Sequence, residues 1–276
     1  MKVLITGHLG FIGNKVYKKC LKLGWQVKGI DLKENRNILY INSYKDIIEF
    51  KPEIIFHLAA QPRVKFSVEY PSEALSNNVL GTSTVLEFAR NNNVKRVIFS
   101  SSSSIYGNNN YPISPYGLHK LMSEMECRFY SEHFGVDTAS LRYFNVYSED
   151  QQVSDAYPTV IAAWMKNIRE NEKLIVYGDG RHTRDYIHVD DIVEANIFAA
   201  IQKENFNGEF FDIGRGENFS LSFIKDFILN KNKNIVFEHL EQKREDPLST
   251  LADINKLKIL GWEAKINFKD GIEKCF

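Results

Sequence analysis

Cysteine is scarce in this chain. Cys20, Cys127 and Cys275 are odd in number, far apart, and none belongs to a CxxC pair. That excludes a disulfide framework and a zinc ribbon, and reduced thiols are expected. Charge of one sign is also missing: 35 Lys and Arg balance 35 Asp and Glu. Neutrality argues against a nucleic-acid partner, whose phosphates call for a basic excess or stripe. No apolar run approaches the roughly eighteen residues that span a bilayer. Met1-Lys2-Val3-Leu4-Ile5 enters a strand directly, without the apolar core of a signal peptide, so a soluble cytoplasmic protein with no membrane partner is expected. No histidines stand at ligand spacing; His57, His119, His182 and His188 read as structural or loop residues, and no metal is expected.

What is present is an ordinary globular composition, with 276 residues, 43% hydrophobic and 25% charged. That length suits one large domain or two coupled lobes. Val3–Ile5, Val27–Ile30, Ile54–Leu58 and Val97–Phe99 are strand-like runs, separated by helical stretches that include 11–23 and 74–91. Val85, Leu86 and Ala89 form a helical stripe. Alternating strands and helices predict an α/β fold, a Rossmann-type doubly wound parallel sheet. Leu141–Tyr143 and Phe210–Ile213 read as later strands of that sheet. Helix 156–170, strand Leu174–Tyr177, helix 221–229 and strand 235–237 read as a smaller C-terminal lobe built from two segments, closing over the strand ends.

The first strand runs into Thr6-Gly7-His8-Leu9-Gly10-Phe11-Ile12-Gly13 and then a helix. Glycines at 7, 10 and 13 permit a tight turn, close approach of a pyrophosphate, and close helix–strand packing beneath free helix N–H groups. A glycine-rich turn without a ligand would share that pattern. Asp31, eighteen residues after Gly13 and just past the next strand, adds an acceptor for both adenosine ribose hydroxyls. It favours NAD over NADP, although Lys33 and Arg36 lie close by.

Tyr116 and Lys120 stand at i and i+4, which places both on one face of a helix that Pro115 opens. A free tyrosine titrates near 10. A fixed ammonium beside it, together with a positive nicotinamide ring, would stabilise the phenolate and make it a usable base. Surface packing would give the same spacing. Leu118, Leu121, Met122, Met125 and Phe129 are expected to be that helix's buried stripe. The run Ser100–Ser104, following a strand, reads as a loop whose hydroxyls either hold a reacting oxygen beside Tyr116 or merely cap a helix.

Together these segments resemble the extended short-chain dehydrogenase/reductase family, in its NAD-dependent epimerase/dehydratase branch. The resemblance runs in order through Thr6–Gly13, His57–Ala60, Asn77–Thr82, Phe99–Gly107, Tyr116–Lys120, Leu141–Asn145, Tyr177–Gly180, Thr183–Asp191, Ala252-Asp253 and Leu260–Trp262. It implies Tyr116 as the base, Lys120 on the nicotinamide ribose, and Ser102 on the substrate oxygen. It implies cofactor contacts at Gly7, Gly10, Phe11, Ile12, Gly13, Asp31, Leu58, Ala59, Ala60, Asn78 and Tyr143, with Tyr116 and Lys120 adjoining. Asn145, Arg184, Arg244 and Asp246 match positions that hold the substrate's nucleotide diphosphate. Thr250, three before Asp253, matches a position that walls the pocket beside the sugar's C2 substituent.

Family 4,6-dehydratases carry an Asp-Glu pair where this chain has Ser103 and Ser104, and the glutamate of the sugar-acid decarboxylases is absent too. The Leu141–Asn145 run together with Tyr177–Asp191 most resembles UDP-hexose 4-epimerases, which oxidise C4 transiently with bound NAD. A 4-dehydrogenase or 4-keto reductase, and more remotely a non-catalytic NAD-sensing protein, are the alternatives. The implied domains are residues 1–150 plus about 185–213 for NAD, and 151–184 plus 214–276 for a nucleotide-diphosphate sugar. A homodimer on helices 74–91 and 116–134 is also implied. The sequence departs from the family in a loop of only eight residues between Gly107 and Tyr116, and in Arg244-Glu245-Asp246, one residue shorter than the pattern.

Overall fold

In a computed structural model, residues 1–276 are described except 108–109, 152, 154–158 and 242–246, with backbone only at Ile41. The chain divides into two compact units, Met1–Tyr143 with Ile192–Phe211, and Phe144–Asp191 with Asp212–Phe276. The sequence implies divisions near 150, 185 and 213.

The first unit is organised on β1 (Lys2–Thr6), β2 (Gln26–Ile30), β3 (Ile54–His57), β4 (Arg96–Ser102) and β5 (Asp137–Tyr143). These lie in the order β2-β1-β3-β4-β5, and every adjacent pair is parallel. The sheet's sixth strand starts at Phe210. The expected doubly wound parallel sheet is borne out. Val3, Leu4 and Ile5 are wholly buried, as strands covered on both faces require. Leu4, Ile30, Ile55, Val97 and Phe99 meet Val85, Leu86 and Ala89 of helix Gly81–Asn91 in one core. Each of the Val, Leu, Ile and Phe side chains contributes roughly 1.5–3 kcal/mol when fully buried.

Two elements of the first unit differ most from the sequence reading. The serine run is not all loop: β4 continues through Ser102, with Ser100, Ser101 and Ser102 paired to Leu141, Arg142 and Tyr143. Ladder hydrogen bonds outweigh the low strand preference of serine. Only Ser103–Ile105 turns, and the Ser102 hydroxyl caps that turn by accepting from Ser104 N–H at 3.2 Å. Helix Pro115–Phe134 is the second difference. Its expected apolar stripe faces outward in large part, with Leu118, Met125 and Phe129 exposed and Leu121 and Met122 half-buried. The face it buries carries Tyr116, Lys120, Ser123, Glu124 and Cys127. Polar side chains can occupy that face because the core supplies partners for them. The helix starts as its sequence suggests, with Ser114 accepting from Gly117 N–H at 3.2 Å ahead of Pro115, and it ends on Gly135 in the left-handed region.

The second unit holds β6 (Asn145–Tyr147), β7 (Leu174–Tyr177) and β8 (Thr183–His188), followed by β9 (the strand Phe210–Ile213, which starts in the first unit), β10 (Asn218–Ser220) and β11 (Phe237–Leu240). β10, β8 and β6 form one small sheet, β11 and β7 another. Trp164, Tyr147, Tyr186, Ile224 and Phe268 centre its core. Helix Val160–Arg169 occupies the described part of the expected 156–170 helix.

Candidate active site

The glycine loop is bound on all sides by backbone. Gly7 N–H donates to Ile30 O at 2.8 Å and Gly10 N–H to Gly7 O at 3.0 Å. Gly7 is left-handed (φ 74°), and a Cβ there would come within 2.7 Å of Ala59 N; one on Gly13 would meet Gly7 O at 2.1 Å. Both positions therefore require glycine. Leu58 and Ala59 are tied to β1, Leu58 N–H donating to Thr6 O at 3.1 Å and Ala59 N–H to Thr6 Oγ1 at 3.2 Å. Gly10 is the N-cap of helix Phe11–Lys22, which has no side-chain cap and no acid in its first turn. Phe11 and Ile12 are half-buried in that turn. The loop has the shape and free N–H groups that a dinucleotide pyrophosphate needs.

Asp31 accepts from Leu9 N–H and Lys33 N–H, each at 2.9 Å, through different oxygens. Lys33 Nζ donates to Leu9 O at 3.1 Å. Arg36 is committed elsewhere, to Gly29 O, Ser43 O and Asp46 Oδ1. Of the two cations that weakened the case for NAD, Arg36 is thus bound to a carboxylate and Lys33 to a backbone carbonyl. The group fits the residues present.

A second strand end builds the adjoining polar network. His57 Nδ1 is 2.8 Å from Thr6 Oγ1 and its Nε2 is 3.0 Å from Thr82 Oγ1. Burial, and then the charge of Lys120, pull His57 down to about 3, so the ring is neutral. Helix formation is interrupted at Ser76–Leu80 by a π-helical turn. There Asn78 O accepts from both Thr82 Oγ1 (2.7 Å) and Ser123 Oγ (3.1 Å). The Asn78 amide clasps Gln61, accepting from its N–H at 2.7 Å and donating to its carbonyl at 3.2 Å.

Tyr116 is nearly buried, and its backbone N–H donates to Ser67 Oγ at 3.0 Å. Burial pushes the phenol above its usual value, while a hydrogen bond with Ser102 and then the charge of Arg63 act against that rise. Lys120 Nζ lies 5.9 Å from the Tyr116 ring centre and 4.8 Å from that of Phe99, and donates to Ser100 O at 2.6 Å. Burial brings Lys120 down to about 8, with Cys127 and Glu124 opposing. Tyr143 OH donates to Asn196 Oδ1 at 3.0 Å. Ser102, Tyr116 and Lys120 are therefore brought together, beside Asn78 and Tyr143. Arg63, Gln61, Ser67 and Asn196 escaped the sequence reading. Arg63 lies three residues after the 57–60 segment, which was the one available signal.

In the second unit, Asn145 Nδ2 donates to Asp185 O at 3.0 Å and to Thr250 Oγ1 at 3.4 Å. Asp185 N–H donates in turn to Thr250 O at 3.0 Å. The Asp185 carboxylate accepts from Arg215, Gly216 and Ala252 N–H groups. Asp185 is desolvated enough to be pushed up to about 6 despite these donors. Its backbone carbonyl and N–H join Asn145 to Thr250, next in sequence to Arg184. Arg244 and Asp246 lie outside the described residues.

A doubly wound sheet with a glycine-bridged first turn and a Ser/Tyr/Lys cluster at its fourth strand defines the extended short-chain dehydrogenase/reductase class. Residues 3–214 match the NAD dependent epimerase/dehydratase family, and the chain belongs to that family. A candidate UDP-glucose 4-epimerase of Methanocaldococcus jannaschii is 33% identical over 99% of this chain and 96% of its own. The UDP-N-acetylglucosamine 4-epimerase of Methanobrevibacter ruminantium, solved with UDP-N-acetylmuramic acid, superposes with a TM-score of 0.88 at 28% identity, covering 99% of this chain and 96% of that one. The UDP-glucuronic acid 4-epimerase of Bacillus cereus, solved with UDP-glucuronic acid and NAD, gives 0.89 at 28% identity, with 99% and 97% covered. Among the described residues no helix is long and apolar enough to cross a membrane.

Proposed function

We propose that this protein is a nucleotide-sugar 4-epimerase acting with bound NAD on a UDP-hexose or UDP-N-acetylhexosamine. The observation that carries the reading is the Ser102–Tyr116 hydrogen bond beside Lys120, in a turn where Ser103 and Ser104 leave no carboxylate for dehydration. The names of its relatives agree with it.

Gly7, Gly10, Phe11, Ile12 and Gly13 would hold the cofactor's pyrophosphate and Asp31 its adenosine ribose. Leu58, Ala59, Ala60, Asn78 and Tyr143 would flank the nicotinamide half, with Lys120 on its ribose. When bound, NAD supplies a reversible hydride acceptor for C4 and a positive ring that favours the Tyr116 phenolate. Tyr116 takes the proton of the sugar's 4-hydroxyl at its phenolic oxygen, and later returns it. Ser102 hydrogen-bonds the same sugar oxygen and fixes its distance from the phenol. Asn145, Arg184, Arg244 and Asp246 would grip the diphosphate, arginine through its planar fork. Gripping the diphosphate while leaving the hexose unclamped lets the oxidised sugar present either face. On this reading residues 1–150 with about 185–213 serve the cofactor, and 151–184 with 214–276 serve the substrate, in the cytoplasm.

The test is to denature the purified protein, identify the released nucleotide, and assay the native enzyme on UDP- and GDP-sugars. Interconversion of 4-epimers without added cofactor is expected. Stoichiometric production or consumption of NADH would instead mark a 4-dehydrogenase or 4-keto reductase. We further propose a homodimer, because Leu118, Met125 and Phe129 leave an apolar ridge on helix Pro115–Phe134. A monomeric mass at micromolar concentration would overturn it.

A further inference from the structure

Helix Pro115–Phe134 buries a column of polar side chains one turn apart: Tyr116, Lys120 and Glu124. All three meet the serines that end β4. Tyr116 is bonded to Ser102, Lys120 Nζ to Ser100 O at 2.6 Å, and Ser101 Oγ donates to Glu124 Oε1 at 2.5 Å. Glu124 is clamped from the other side by Arg142. Its Nε reaches Oε1 at 2.9 Å and its Nη2 reaches Oε2 at 2.6 Å, a two-point fork. Arg142 is itself fixed, donating to Tyr106 OH at 2.8 Å and stacking on Phe210 with its guanidinium carbon 3.5 Å from the ring centre. It stands opposite Ser101 in the ladder, one residue from Tyr143. Only about 7% of either side chain of the Glu124–Arg142 pair is exposed.

A buried ion pair is a poor device for stability alone, because desolvation offsets most of its Coulombic gain. Here the carboxylate sits one helical turn from the buried ammonium of the proposed site. We infer that Glu124, held by Arg142 and Ser101, is a positioning residue that keeps Lys120 charged and so sets the acid–base state of Tyr116.

Other groups bear on the pair. Cys127 lies on the same helix, His57 at the end of β3 is neutral, Arg63 acts on Tyr116, and Tyr143 lies beside Ser100 on β5. Among the causes acting on Lys120, Cys127 and then Glu124 oppose its burial, and because burial pushes the Cys127 thiol up, Glu124 is the partner that carries charge. Lys120 would be charged at neutral pH by a narrow margin, so losing the carboxylate has a visible consequence. The inference rests on the proposed function, since it takes Tyr116 as the base and Lys120 as its partner.

The experiment compares wild type, Glu124→Gln, Glu124→Asp and the double variant Glu124→Gln/Arg142→Met. It reads the pH–rate profile on UDP-hexoses and the ultraviolet difference titration of Tyr116 against Tyr116→Phe. In Glu124→Gln the alkaline limb of the rate should move down by about one pH unit or more, and phenolate absorbance should appear at higher pH. Glu124→Asp should recover part of both shifts. The double variant, which buries no lone guanidinium, should regain folding stability and keep a displaced limb. Unmoved limbs and titration in folded Glu124→Gln would overturn the inference. So would full recovery in the double variant, which would assign the effect to an unpaired Arg142. If no nucleotide sugar is turned over, the titration still decides the role of Glu124, and only the functional reading fails.

Discussion

Arg96 and Asp137 form an ion pair sealed from solvent, Nε 2.5 Å from Oδ2, across the start of β4 and β5. Asp137 Oδ1 also accepts from Phe206 and Asn207 N–H, while Arg96 caps carbonyls of Ala199, Gln202 and Glu204. Removing one member strands a buried charge, so Asp137→Ala should lose about 3–5 kcal/mol of stability. Urea unfolding would read this, and a loss under 1 kcal/mol would contradict it.

The neutral His57 predicts a pH dependence of folding. The unfolded imidazole takes a proton below 6.5, whereas the folded one resists until about 3. Its contribution is therefore fully present above 6.5 and is lost as pH falls from there towards 3. Urea midpoints between pH 7.5 and 4.5 should fall less steeply in His57→Gln than in wild type. Parallel slopes would mean that the ring is protonated inside the fold.

Tyr116→Phe should keep the fold and bound NAD while lowering turnover by on the order of a hundredfold or more, the cost of losing a general base. Near-normal rates in both directions would remove Tyr116 from the chemistry.

Sugar size is the fourth question. Thr250 is small and receives a hydrogen bond from Asn145, and the loop between Gly107 and Tyr116 is short. An N-acetyl group at C2 should be tolerated, and UDP-N-acetylhexosamines should turn over at least as well as UDP-glucose. Thr250→Tyr should penalise the larger sugar and spare the smaller, because a filled pocket excludes added bulk sterically. A wild-type preference for UDP-glucose of about tenfold, or equal losses on both sugars in the variant, would refute this.

Much of this was legible beforehand, for physical reasons. Val3–Ile5 and Ile54–Phe56 are apolar because both sheet faces are covered, and Gly7 and Gly13 are glycine because backbone fills the space a Cβ would take. Helix Pro115–Phe134 misled because periodicity equates apolar with buried. It could not register that Ser101, Arg142 and Ser100 O lay ready to satisfy Glu124 and Lys120. Asn196 was invisible for a similar reason: its partner Tyr143 is distant in sequence.

The π-helical turn at Ser76–Leu80 carries an implication about length. It holds one residue more than an α-helical turn would, which puts the chain before it out of phase with helix Gly81–Asn91. Since each α-helical residue advances by about 100°, deleting one residue there would act as a rotation and not a shortening. Gln61's clasp on Asn78, and the carbonyl shared by Thr82 and Ser123, would be dialled out of register together. Between Ser76 and Leu80, Asn78 apart, changes of letter should disturb the fold less than changes of count.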